Sequence, residues 1–133
     1  MQKLEPLAIG ATGTASLVVE EAHTAAAVGS GLEHVLATPV MIALMEAAAV
    51  DCVEHRLEPG TTSLGIRIAV DHIAPTVVGA EISARAELRA VTPKRLTFAV
   101  TAQQGETIIG SGTHERAIVN VAEFRRRLST TAG

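Results

Sequence analysis

The sequence predicts an α+β fold, on three observations. An apolar stretch of helical length opens at Thr38-Pro39. Downstream of it, three segments alternate apolar and polar residues one by one, which is the period of a half-buried strand. Between the later segments stand turn residues, Thr92-Pro93-Lys94 and Gln104-Gly105-Glu106, that fold neighbouring strands back antiparallel. A helix and an antiparallel sheet that cover each other's apolar faces give one domain over residues 1–133.

The elements follow in order. Residues 1–10 read as an irregular lead-in and Ser16 to Glu20 as a short strand, with a loop through Gly29, Ser30 and Gly31 after it. Threonine is a favoured N-cap, and a proline in the first helical position gives up an amide that has no partner there anyway, so the helix begins at Thr38. It runs to His55 or Arg56, about 18 residues, and Glu58-Pro59-Gly60 stops it. Leu64, Ile66, Ile68 and Val70 then share one face of a strand. From Ala80 to Ala90 the alternation has no fault: Ala80, Ile82, Ala84, Ala86, Leu88 and Ala90 face one way, and the residues between them are charged or polar. Leu96, Phe98, Val100 and Ala102 form a third such face. Thr107 to Val119 is the last strand, where Gly110 and Gly112 mark a bulge or a close approach of backbones. Val121 to Leu128 reads as a short basic helix whose arginines form a solvated face. The small inner residues Ala84, Ala86 and Ala102 let the sheet curl closely around the long helix.

Composition removes several classes of function. With 11 basic and 14 acidic residues the chain has no positive field to draw nucleic acid or an anionic membrane, and its two aromatic residues, both Phe, cannot form a stacking platform for bases. The apolar stretch Val40 to Val50 contains Glu46 and is too short to cross a bilayer, which takes about 20 residues. No basic segment followed by an apolar one opens the chain, so the expectation is a cytoplasmic protein. Cys52 is the single cysteine, in a helical and apolar neighbourhood, and reads as a buried, inert thiol. No HExxH, GxSxG, P-loop or GxGxxG pattern is present, and the expectation is no metal and no cofactor.

Glu46 draws attention among the charged residues. On a helical wheel Ile42, Ala43, Ala49, Val50 and Val53 fall within about 60° of it, with Asp51 and His55 near the opposite side. A carboxylate on an apolar stripe costs several kcal/mol of effective desolvation unless partners offset it, so it is either functional or part of an ion pair. Thr38 has two readings: its hydroxyl caps the helix, or it is presented beside unpaired helix amides that stabilise developing negative charge. His72 ends the Leu64–Val70 strand, where an imidazole serves either as a surface residue or as a general acid or base.

Taken in order, these motifs resemble the hotdog-fold thioesterases of the fluoroacetyl-CoA thioesterase-like group. The resemblance runs from about Gly10 to Leu128. It rests on Ala37-Thr38, Leu44-Met45-Glu46, Leu57-Glu58-Pro59-Gly60, Ser63-Leu64-Gly65, Val70-Asp71-His72 with Ala74-Pro75-Thr76 and Gly79, Arg95-Leu96, and Gly110 through Ala117. It implies an antiparallel sheet wrapped around one long central helix, a homodimer or larger assembly with acyl pockets at the subunit interface, and hydrolysis of a short- to medium-chain acyl-CoA. The family's catalytic Thr, Glu and His correspond to Thr38, Glu46 and His72, and its glycine amide near the thioester carbonyl to Gly65. Leu32 and Ile42 are expected to line the acyl pocket and Arg116 to contact the CoA ester. Where the fluoroacetyl-specific member has a phenylalanine gate, the segment Val28 to Val35 has none, with Gly29 and Leu32 in its place. Selectivity for fluoroacetate therefore does not follow from the resemblance. A binding protein without catalysis would keep the same pocket.

Overall fold

A computed structural model describes residues 7–131. Its elements are β1 (Thr12–Val18), α1 (Ala25–Val28), α2 (Thr38–Val53), β2 (Thr61–His72), β3 (Glu81–Val91), β4 (Arg95–Gln104), β5 (Thr107–Asn120) and α3 (Val121–Thr131), with 3-10 turns at Glu21–His23 and Glu54–Arg56. The strands form one antiparallel sheet in the order β1-β3-β4-β5-β2. The turns read from the sequence make hairpins of β3, β4 and β5, while β2 returns beside β5 and leaves its other edge free.

Alternation decides what the sheet buries. Ile82, Ala84, Ala86 and Leu88 on β3 and Leu96, Phe98, Val100 and Ala102 on β4 are all buried against α2, which packs chiefly on β1, β3 and β4. The helix answers with Met41, Leu44, Met45, Ala48, Ala49, Cys52 and Val53. Burying a side chain of Leu or Met size contributes about 1.5–3 kcal/mol, so this layer of apolar contacts dominates the fold. The sheet can approach because its residues are small. A β-carbon on Gly13 of β1 would lie inside the Ala48 carbonyl and the Cys52 backbone, so glycine lets the strand rest directly on the helix. Burial pushes the Cys52 thiol up, in keeping with an inert core residue.

Several local expectations change. The first strand starts at Thr12, four residues before Ser16, and the loop after it contains the short α1. The lead-in expected over residues 1–10 lies partly outside the described residues. The N-cap of α2 is Ala37, in extended conformation and without a side-chain cap, and Thr38 is already helical. The expected capping by Thr38 fails because its hydroxyl has another partner, described below. Ala90 is exposed because the register shifts between Leu88 and Ala90. Ile66 drops out of the pairing at a shift between Gly65 and Arg67, and the expected common face splits there: Leu64 lies opposite Ala117, whereas Ile68 and Val70 lie opposite His114 and Gly112 on the other face. On α3, Glu123 pairs with Arg126 at 2.5 Å and Arg127 at 3.4 Å, a solvated arrangement worth at most about 1 kcal/mol.

Candidate active site

Gly110 determines where His72 sits. The two residues are cross-strand partners at the end of β2. A β-carbon on Gly110 would stand 2.6 Å from Met41 Sδ and 2.9 Å from the Asp71 carbonyl, so glycine lets the first turn of α2 close on the end of β2. His72 Nδ1 thereby comes within 2.8 Å of Thr38 Oγ1. Burial holds the His72 imidazole below its usual 6.5, which keeps the ring neutral and able to take a proton. Its Nε2 is buried with no hydrogen-bond partner among the described residues. The pair faces a hollow of about 320 Å³ lined also by Ala25, Ser30, Val35, Leu36, Ile73, Ala74 and Pro75. A hydroxyl and a neutral imidazole at this distance are the parts of a nucleophile–base pair.

Gly65 performs a similar service for Glu46. It lies opposite Arg116 on β5, and a β-carbon there would collide with Glu46 Oε2. The carboxylate therefore rests over the strand where no other residue would leave room. The Glu46 side chain is 41% exposed, with Arg116 Nη1 at 3.7 Å and His114 Nε2 at 3.9 Å from Oε2. His114 is buried against Phe98, ring to ring at 5.9 Å. Its Nδ1 lies 2.8 Å from the Arg67 carbonyl, so Nδ1 carries the proton and donates it. Nε2 then accepts from Arg116 Nη1 at 3.2 Å, and burial again lowers the imidazole below 6.5. Glu46, Gly65 and His114, with Ile66, Arg67 and Ile68, line a second hollow of about 220 Å³.

Known proteins share this arrangement of elements. The sequence profile of the fluoroacetyl-CoA-specific thioesterase family (FlK) matches residues 19–122, which include both hollows. The fluoroacetyl-CoA thioesterase of Streptantibioticus cattleyicolor is 45% identical over 102 residues, covering 75% of this chain and 73% of that one. This chain belongs to the fluoroacetyl-CoA-specific thioesterase family. A solved structure of the fluoroacetyl-CoA thioesterase FlK superposes with a TM-score of 0.87 at 36% identity, over 95% of this chain and 98% of that one. A Thr-to-Ser variant of FlK in complex with acetyl-CoA gives 0.88 at 34% identity, over 96% and 100% of the two chains. The sheet packed on its helix is thus the hotdog architecture of these thioesterases.

Within this single thioesterase-family chain the expected catalytic set is divided. Thr38 and His72 share the first hollow. Glu46 and Gly65 share the second, and eight residues of helix separate Thr38 from Glu46, about 12 Å along the axis. Ile42 is half-buried on the helix between them and lines neither hollow. Leu32 is 92% exposed and likewise lines neither. Arg116, expected to contact the CoA ester, lies beside Glu46 instead of at the hollow of Thr38 and His72. Its side chain is buried, and its guanidinium is committed to Ser63 and His114. His114 was missed as a neighbour of Glu46, although Gly112, His114 and Arg116 share one strand face with the period of two.

The two lowered histidines make stability depend on pH. Between their depressed folded values and 6.5, His72 and His114 bind fewer protons folded than unfolded, so unfolding takes up protons. The stabilisation is complete above pH 6.5 and is lost as pH falls through the folded values. Calorimetry across pH 8 to 5 is expected to give a level Tm down to about pH 6.5 and a decline below it. A Tm that rises on acidification in that range would contradict the burial described for both rings.

Proposed function

We propose that the protein hydrolyses small, short- to medium-chain acyl-CoA thioesters to the free acid and CoA. The observation that carries this reading is the 2.8 Å contact of Thr38 Oγ1 with a neutral His72 at the edge of a largely apolar hollow. The acyl chain lies against Val35, Leu36, Ala74 and Pro75, and the thioester carbonyl lies at the start of α2. Oxygen attacks the carbonyl carbon, either from Thr38 Oγ1 or from water, and His72 takes its proton. The C–S bond breaks as the tetrahedral intermediate collapses, and the CoA thiolate leaves with that proton. In the first route water then hydrolyses an acyl-threonine. There Glu46 accepts that water's proton and returns it to Thr38 Oγ1 as the acyl–oxygen bond breaks. In the direct route Glu46 orients the water whose proton His72 takes, and backbone amides at Gly65 and the helix start hold the oxyanion. The reaction needs no cofactor, because CoA arrives as part of the substrate. A cytoplasmic site, where CoA thioesters occur, belongs to the same proposal. Among the described residues no helix is long and apolar enough to cross a membrane.

A homodimer supplies what one protomer lacks. The free edge of β2 carries both Gly65 and His72, and an exposed strand edge is stabilised by pairing with another. Ile66 on that strand and Ala43, Ala47 and Val50 on α2 are exposed, leaving an apolar surface for a second copy to cover. In a two-fold pair, Thr38 and His72 of one protomer meet Glu46 and Gly65 of the other. Light scattering is expected to give at least twice the 13.8 kDa chain mass. Complementation gives a sharper test. Refolding equal amounts of inactive His72→Ala and Glu46→Gln chains together makes about half the dimers mixed, each with one intact site. Activity is then expected to return to about a quarter of wild type. No recovery, with mixed dimers present, would place the whole site in one protomer.

A further inference from the structure

We propose that Ser63 and Glu54 act as positioning residues that hold the Arg116 guanidinium back from Glu46 and so keep the carboxylate free to accept a proton. The inference rests on the thioesterase reading of Glu46 given above. Arginine has five N–H donors in a fixed fork. Here Nε donates to Ser63 Oγ at 2.7 Å, Nη2 to the Ser63 carbonyl at 3.0 Å, and Nη1 to His114 Nε2 at 3.2 Å. Ser63 is in turn anchored from behind, its hydroxyl donating to Glu54 Oε2 at 2.6 Å and its amide to the same oxygen at 3.1 Å. The other Glu54 oxygen accepts from Thr62 Oγ1. The tethered guanidinium stops 3.7 Å from Glu46 Oε2, beyond hydrogen-bond reach, and among the described residues Glu46 accepts no hydrogen bond.

An arginine beside a carboxylate in a partly dry site ordinarily closes to a two-point pair. Such a pair would occupy the lone pairs that a general base must offer to water. Arg116 faces two carboxylates, Glu46 and Glu54, and the hydroxyl of Ser63 links it to Glu54 alone. The other groups around Glu46 that carry or can carry charge are the neutral His114 on β5 and Arg67 on β2, the latter pairing outward with Glu115 at 3.8 Å. Releasing the tether therefore moves one cation, Arg116, onto Glu46.

The test uses the full chain with Ser63→Ala, Ser63→Thr and Glu54→Gln. The Glu46 carboxyl is followed by carbon-13 NMR, its signal assigned by its loss in Glu46→Gln, and turnover is measured alongside. In Ser63→Ala and Glu54→Gln the Glu46 titration is expected to move to lower pH, and kcat to fall roughly 10-fold to 100-fold with KM nearly constant. Ser63→Thr, which restores the hydroxyl, is expected to recover both. Should Glu54→Gln fail to fold, Ser63→Ala decides alone, since it leaves the backbone contacts of Glu54 and Arg116 in place. An unmoved Glu46 titration in a folded variant overturns the proposal, whatever happens to turnover. If the wild-type protein has no turnover, the thioesterase reading fails separately, and the titration still shows whether Ser63 and Glu54 restrain Arg116.

Discussion

Glu46→Gln is expected to lower kcat by roughly 100-fold or more, the scale of a general acid–base contribution, while the fold persists. Glutamine keeps the shape over Gly65 and loses only the charge and the basicity. The effect on stability should be small. At 41% exposure and 3.7 Å, the attraction between Glu46 and Arg116 is worth at most about 1 kcal/mol, and Arg116 keeps its bonds to Ser63 and His114. Tm should therefore change by a few degrees at most. A large kinetic loss with a small thermal one separates chemistry from structure. Unchanged kcat would make Glu46 a structural ion-pair partner and leave the reaction to another base.

His72→Ala should be at least as damaging, with a loss of roughly 100-fold to 10,000-fold in kcat/KM, because it removes the acceptor of the proton released in the attack. Among the described residues the ring makes one side-chain hydrogen bond, to Thr38, and its Nε2 has none, so its removal strands one hydroxyl. The wild-type pH profile bears on the same residue. Burial lowers His72 below 6.5, so the ring stays neutral at pH 7 and kcat/KM should hold its plateau until the pH falls below 6.5. A decline that sets in above pH 7 would mean that another group is the base. Thr38→Ser, which retains the hydroxyl, should keep most of the activity that Thr38→Ala loses if acyl-threonine forms.

Much of the fold could be read from side-chain alternation, because that pattern reports directly which face is buried. Ile82 through Leu88 and Leu96 through Ala102 lie inward as their spacing requires. The failures came where long-range contacts override local preference. Thr38 has the sequence of a cap, yet Gly110 lets β2 deliver His72 to its hydroxyl, and the cap passes to Ala37. The wheel placed Glu46 among apolar residues correctly, but α2 has two apolar sides. Ala49 and Val53 face the core, whereas Ala43 and Val50 are exposed. A wheel cannot tell a face covered by the sheet from one left exposed. The division of the site into two hollows was illegible for a related reason, since spacing along a helix does not say which strand packs beside each turn. His114 and Arg116 looked like ordinary strand polar residues. Their inward position follows from parity with Gly112, a signal that becomes clear only once β5 is seen to lie between β4 and β2.

Release of free CoA thiol from fluoroacetyl-, acetyl-, butyryl- and hexanoyl-CoA, measured as kcat/KM under one set of conditions, addresses the central claim directly. The hollow at Thr38 and His72 is walled by Ala25, Val35, Leu36, Ala74 and Pro75, and the segment before the helix offers Gly29 and Leu32 where fluoroacetyl-specific relatives are expected to carry phenylalanines. Leu32 stands 92% exposed and does not line that hollow, so it does not close over it. Each methylene that finds apolar surface gains about 0.8 kcal/mol, close to fourfold. Turnover of all four esters is predicted, with kcat/KM rising from acetyl to the longer chains and little preference for fluoroacetyl over acetyl. A fluoroacetyl value about a thousandfold above acetyl, some 4 kcal/mol, would contradict the open entrance. Absence of thiol release from every ester, with the protein folded and dimeric, would contradict hydrolysis itself.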